Sequence, residues 1–138
     1  MNYQMNLNKK SLQMQFWEEL HLKADFWLKE LDFMADELRF LKEVITNYLK
    51  DVNADVVDQI EPVQKLLTEL ELKRHLFRAE VIDHRDMLKQ KLITQSEQEF
   101  SEVKLIQESL KEKYNEVNRL NRQFKESLFQ IVDDVYGD

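Results

Sequence analysis

The chain contains no cysteine, one glycine and one proline in 138 residues. The lack of cysteine excludes disulfides and thiolate metal sites. The near-absence of glycine and proline excludes a fold with many tight turns, because hairpins and short loops draw heavily on those two residues. Long apolar runs are missing as well. Charged residues interrupt every hydrophobic stretch, and the N-terminal MNYQMNLNKKSLQMQFWEEL holds no apolar run of signal-peptide length. The expectation is a soluble, cytoplasmic protein with no membrane segment. Basic charge is not in excess either. The formal net charge of −7 opposes nonspecific attraction to nucleic acid or anionic lipid.

What remains is a chain of few, long elements. Hydrophobic residues make up 43% and charged residues 34%, the latter above the roughly 25% of an average domain. Narrow apolar seams flanked by charge fit that balance. The first seam is Trp17, Leu20, Ala24, Trp27, Leu31, Met34, Leu38, Leu41, Ile45, Tyr48 and Val52. Its alternating three- and four-residue spacing marks one stripe of a helix held against a neighbour. The spacing predicts a first helix over about residues 8–52, roughly 60 Å long. Residues 52–58 break the pattern. Asp58 and Glu61 form a capping-box pair with Pro62 beside them, which predicts that a second helix starts near 58, with Pro62 in its first turn.

The second helix, about 58–93, has two readings. Leu66, Leu70, Phe77, Val81, Leu88 and Leu92 repeat at eleven residues, the period of a straight or slightly right-handed seam. A heptad reading instead places Arg74 and His84 on the apolar stripe. Thr94/Glu97 and Ser96/Glu99 then read as capping boxes, which puts a short turn near 94–96. The third helix, about 96–135, carries Phe100, Val103, Gln107, Leu110, Tyr114, Val117, Asn121, Phe124, Leu128, Ile131 and Val135, and stops at Gly137. Two short connections make neighbours antiparallel. The fold class is therefore all-α: a long-helix antiparallel three-helix bundle with coiled-coil character, forming a single domain over 1–138. The pattern resembles spectrin-type repeats and other three-helix coiled-coil modules, with longer helices.

Candidate sites are few. Phe26, Phe33 and Phe40 form a second stripe on the first helix at seven-residue spacing, joined by Phe16 and Val44. The apolar arc then spans roughly 200°, wider than a coiled-coil seam needs. Either this helix is central and buries both flanks, or the stripe is an interaction surface. Folding the chain at its two turns sets His84 level with Gln107, beside Trp27. His84, Gln107 and Asn121 are the expected polar core layer, with the two amides fixing register. One Glu-x-x-His match, Glu18 to His21, and the pairs Glu71/His75 and Glu80/His84 fall short of the four ligand-bearing helices of a di-metal bundle. Arg119, Arg122 and Lys125 cluster, but Glu116 and Glu126 flank them, which fits a salt-bridged surface better than a nucleic-acid site. No motif carries catalysis. The expectation is a non-catalytic structural or protein-interaction bundle, a scaffold or adaptor without cofactor or metal. Its partner is a second copy or another helical protein, with no nucleic acid and no membrane. A small-molecule- or metal-binding bundle is the alternative.

Overall fold

The computed structural model describes the backbone of residues 2–49, 54–94 and 97–137, and side chains over 12, 14–49, 55–90 and 100–137. Three helices account for it: α1 (Asn2–Val44), continued by a π-helical turn (Ile45–Leu49), then α2 (Ala54–Thr94) and α3 (Glu97–Tyr136). No strand is found among the described residues. At 1.5 Å per residue each helix is roughly 60 Å long.

Cross-helix contacts fix the direction of each helix. Going along α1, Trp17 meets Phe100 of α3, Trp27 meets Tyr114, Glu37 pairs with Lys125, and the Tyr136 hydroxyl donates to the Tyr48 carbonyl at 2.6 Å. The α3 numbers rise with those of α1. Against α2 they fall: Asp25 pairs with Arg85 and Asp32 with Arg78. The bundle is therefore up-down-up, with α1 and α3 parallel.

The central helix is α2, not α1. It lies close along both neighbours, whereas α1 and α3 approach each other through large side chains, notably Trp17, Trp27, Phe100 and Tyr114. The width of the α1 apolar arc therefore does not come from packing against two close neighbours.

Burial along α1 follows the expected seam from Trp17 to Ile45. It then departs by one residue. Tyr48 is exposed and Leu49 is fully buried. The cause is the π turn, whose i→i+5 bonding accommodates one extra residue and carries the seam forward by one position. Val52, the last residue of the expected seam, lies outside the described residues.

In α2 the heptad pattern governs. Val56, Ile60, Val63, Leu67, Leu70, Phe77, Val81, His84 and Leu88 are buried in alternating three- and four-residue steps, with half-buried Arg74 completing the series. The eleven-residue reading placed Leu66 on this seam. It is half-buried, and Leu67 takes the inner position. Helix α2 also starts earlier than Asp58, so Pro62 lies inside the helix rather than in its first turn. Proline there has no N–H for the carbonyl one turn back. The connections at residues 50–53 and 95–96 lie outside the described residues.

In α3 the expected seam is buried or half-buried throughout, with Leu120 added. The helix ends at Tyr136. Gly137 donates its N–H to Asp133 O at 2.8 Å, and a Cβ there would meet that oxygen at 2.5 Å. Side chains larger than hydrogen do not fit.

Candidate interaction face and polar core layer

Seven residues make almost two helical turns, so a heptad-spaced set stays on one face with a drift of about 20° per repeat. Phe26, Phe33 and Phe40 obey that spacing and stand 46%, 68% and 63% exposed. Exposed Leu22 precedes them, and half-buried Val44 follows. Phe16 does not belong to this face. It turns inward, its ring 4.6 Å from that of Phe100 at an edge-on angle. The lysine Nζ of residue 23 lies 5.1 Å from the Phe26 ring centre, within cation–π range.

The stripe borders the groove between α1 and α3. Glu37, three residues before Phe40, pairs across that groove with Lys125. Phe129, one turn beyond Lys125, is 52% exposed. The Glu37–Lys125 and Tyr48–Tyr136 contacts both join residues 88 apart, which sets Phe129 level with Leu41. Two helices thus contribute apolar rings to one side of the molecule. Sequence reasoning found the α1 stripe from its period but missed Phe129. A single off-seam aromatic carries no period, and only the relative height of α1 and α3 reveals its neighbours.

Inside the bundle, His84 is 4% exposed and the only buried polar or charged residue among those described. Its Nε2 lies 2.5 Å from Gln107 Oε1. The amide oxygen only accepts, so Nε2–H donates and Nδ1 is the bare nitrogen. Nδ1 is buried without a partner. Burial pushes the imidazole pKa below its ordinary 6.5, and the Gln107 hydrogen bond opposes that shift. Above the pair, Glu80, Asp83, Met87, Ile106 and Lys113 frame a shallow groove between α2 and α3.

Folding the chain on paper correctly paired His84 with Gln107, but Trp27 sits one heptad away. Its ring packs against Phe77 and Tyr114, with centroids 6.1 and 5.8 Å apart. Asn121 does not join the pair either. It is two heptads from Gln107, half-buried, and its Oδ1 has no partner. Arg74, the other polar seam residue of α2, reaches the Leu31 carbonyl with one guanidinium nitrogen at 3.5 Å. The residue as a whole is half-buried, and its Nε is enclosed without a partner.

Several of the remaining candidates are engaged as ordinary surface charge. Glu80 pairs with Lys113 at 2.8 Å, and His21 pairs with Asp25 at 3.3 Å. Arg119 makes a two-pronged contact with Glu116, and Lys125 is taken by Glu37. Arg119 holds the Glu116 carboxyl below the usual range, first through the hydrogen bond and then through charge. Among the described residues no group of three or more histidine, aspartate and glutamate side chains converges to hold a metal ion. No helix there is long and apolar enough to cross a membrane.

Fold and surface together define a class: an antiparallel three-helix bundle that carries an exposed, heptad-spaced aromatic face on its first helix. No family model, curated protein or solved structure matches this chain. Function is therefore argued from the residues themselves.

Proposed function

We propose that this protein is a non-catalytic interaction bundle, a scaffold or adaptor that works through the aromatic face of α1 and associates with a second copy or another helical protein. The observation that carries this reading is the exposure of Phe26, Phe33 and Phe40 in one row. Scattered exposed apolar residues need no explanation, but three exposed phenylalanines repeated at seven residues along one helix face are uncommon on a monomeric surface. Aromatic side chains are also enriched where proteins meet. The bundle core does not depend on these rings, since the seam beneath them is already filled.

The test is absolute mass by light scattering on a sizing column, over a wide concentration range, for the wild type and Phe33→Glu. The expected wild-type mass exceeds that of one 16.8 kDa chain, and the variant should run as a single folded chain. Equal masses, together with unchanged binding of an apolar dye, would sink the reading. A small-molecule reading has one observation in its favour, the unpartnered Nδ1 of His84 under the α2–α3 groove. It gives no account of the phenylalanine row.

A further inference from the structure

We infer that the groove between α1 and α2 beside Arg74 is a binding site for a small oxyanion, a carboxylate or phosphate group carried by a diffusible ligand. This site is separate from the phenylalanine row, which borders the groove between α1 and α3, and does not depend on what covers that row. The state of one guanidinium group carries the inference.

Arg74 occupies the inner series of α2 between Leu70 and Phe77, and it is half-buried. A cation withdrawn from water in this way is costly unless an anion lies beside it. Its neighbours along α2 have theirs: Lys73 takes Glu69, Arg78 takes Asp32, and Arg85 takes Asp25. Arg74 has no ion-pair partner among the described residues, although Glu71 stands three residues before it. Its Nη1 bonds only the neutral Leu31 carbonyl, at 3.5 Å, and its Nε is enclosed with no acceptor. The edge formed by Nε–H and Nη2 is therefore unused. Those two parallel donors are the fork with which arginine grips two oxygens of one carboxylate or phosphate.

The space beside Arg74 suits such a group. The Asp25–Arg85 and Asp32–Arg78 pairs set Arg74 level with Asp36 of α1, next to Ala35. Ala35 brings only a methyl group to the helix contact, and a groove of about 400 Å³ opens there, lined by Ala35, Leu38, Arg39, Lys42, Glu71 and Arg74. That volume lies within the range of small-ligand sites. Lys42 has no ion-pair partner among the described residues. Arg39 meets Asp36 at 3.5 Å, with both side chains more than 70% exposed, a contact that water weakens. With Glu71 and Asp36 both counted, three cations still face two carboxylates, in a chain of net charge −7. The local field therefore favours an anion. Its charged head belongs on Arg74, and a short apolar body can lie against Ala35 and Leu38.

The experiment follows the Arg74 Nε–H signal by NMR in the isotope-labelled full chain, assigned by its loss in Arg74→Lys. Sodium phosphate, sodium acetate and sodium butanoate are titrated separately, with sodium chloride holding the ionic strength constant. The expected result is a saturable shift at Arg74 with at least one probe. Arg119, already gripped by Glu116, and exposed Arg122, which has no ion-pair partner among the described residues, should drift weakly and linearly. Saturation by phosphate alone assigns a phosphate group, and butanoate binding tighter than acetate assigns a carboxylate with an apolar body. Two variants are followed on the backbone amides of Ala35 and Glu71. Lys42→Gln, an exposed change that leaves the seam intact, should weaken binding roughly threefold. Arg74→Lys keeps the charge but loses the fork, and should weaken it on the order of tenfold. Linear drift with all three probes, equal shifts at Arg74 and Arg122, or binding indifferent to both substitutions overturns the site.

Discussion

His84 is buried as a neutral imidazole, so its protonation in the unfolded chain opposes folding. In the folded protein its pKa lies below 6.5, with desolvation the larger cause. As pH falls through 6.5 the unfolded state takes up a proton that the folded state does not, and stability declines until the folded pKa is passed. The depressed carboxyl of Glu116 acts lower, below its ordinary 4.5, and lies on the surface. Urea midpoints should therefore fall between pH 7 and 5.5 in the wild type, and this slope should be absent in His84→Leu but kept in His75→Gln. Gln107 tests the same pair from the other side. Gln107→Leu strands a buried Nε2–H and should cost about 1–3 kcal/mol, whereas His84→Leu with Gln107→Leu removes both partners and should cost much less. Equal losses in the single and double variants would show that the hydrogen bond matters little.

The departures from pattern fall on α1 and α2, and they differ in whether the residues announce them. Arg74 and His84 interrupt the α2 stripe when only apolar letters are counted, which is why an eleven-residue repeat competed with the heptad. Burial shows the heptad running through both. A long side chain can cover a seam with its stem, and a histidine can enter it with one partner, so polarity at a seam position does not exclude the register. Pro62 misled in the opposite direction. Asp58, Glu61 and Pro62 compose a credible helix start, yet α2 begins at Ala54 and runs through the proline. An interior proline costs about 3 kcal/mol relative to alanine, partly offset by the stiffer unfolded chain. Exposed Pro62→Ala should therefore raise stability by about 1–2 kcal/mol, read from thermal melting followed by circular dichroism. A lower melting temperature would mean that the helix needs its proline. The π turn at Ile45–Leu49 left no trace in composition. It became visible only because Leu49, and not Tyr48, is buried.

For the whole molecule, three helices and their up-down-up order were legible because two apolar seams keep their period over many turns. The polar pair His84–Gln107 was legible for the same reason, since chain folding at fixed rise sets heights. The packing order was not. Seam width on α1 left two readings open, a central helix or an exposed interaction face, and the structure gives the central place to α2, which frees the phenylalanine row for the surface. The arrangement also has a temporal consequence. Contacts of α2 with either neighbour close across a turn, whereas those between α1 and α3, such as Trp17 with Phe100 or Trp27 with Tyr114, span more than 80 residues of chain. Distant contacts carry the larger loop-closure entropy and form after local ones. Two hairpins that share α2 should therefore assemble first, and the aromatic clasp between α1 and α3 should shut last. Stopped-flow tryptophan fluorescence checks this order. Phe100→Ala should speed unfolding while leaving the folding rate nearly unchanged, the signature of a contact absent from the transition state. Equal slowing of folding would place the clasp in the nucleus. In a bundle assembled this way, the flank of α1 that carries the phenylalanines faces water from the earliest hairpin onward, so newly made chains can meet one another before the third helix has docked.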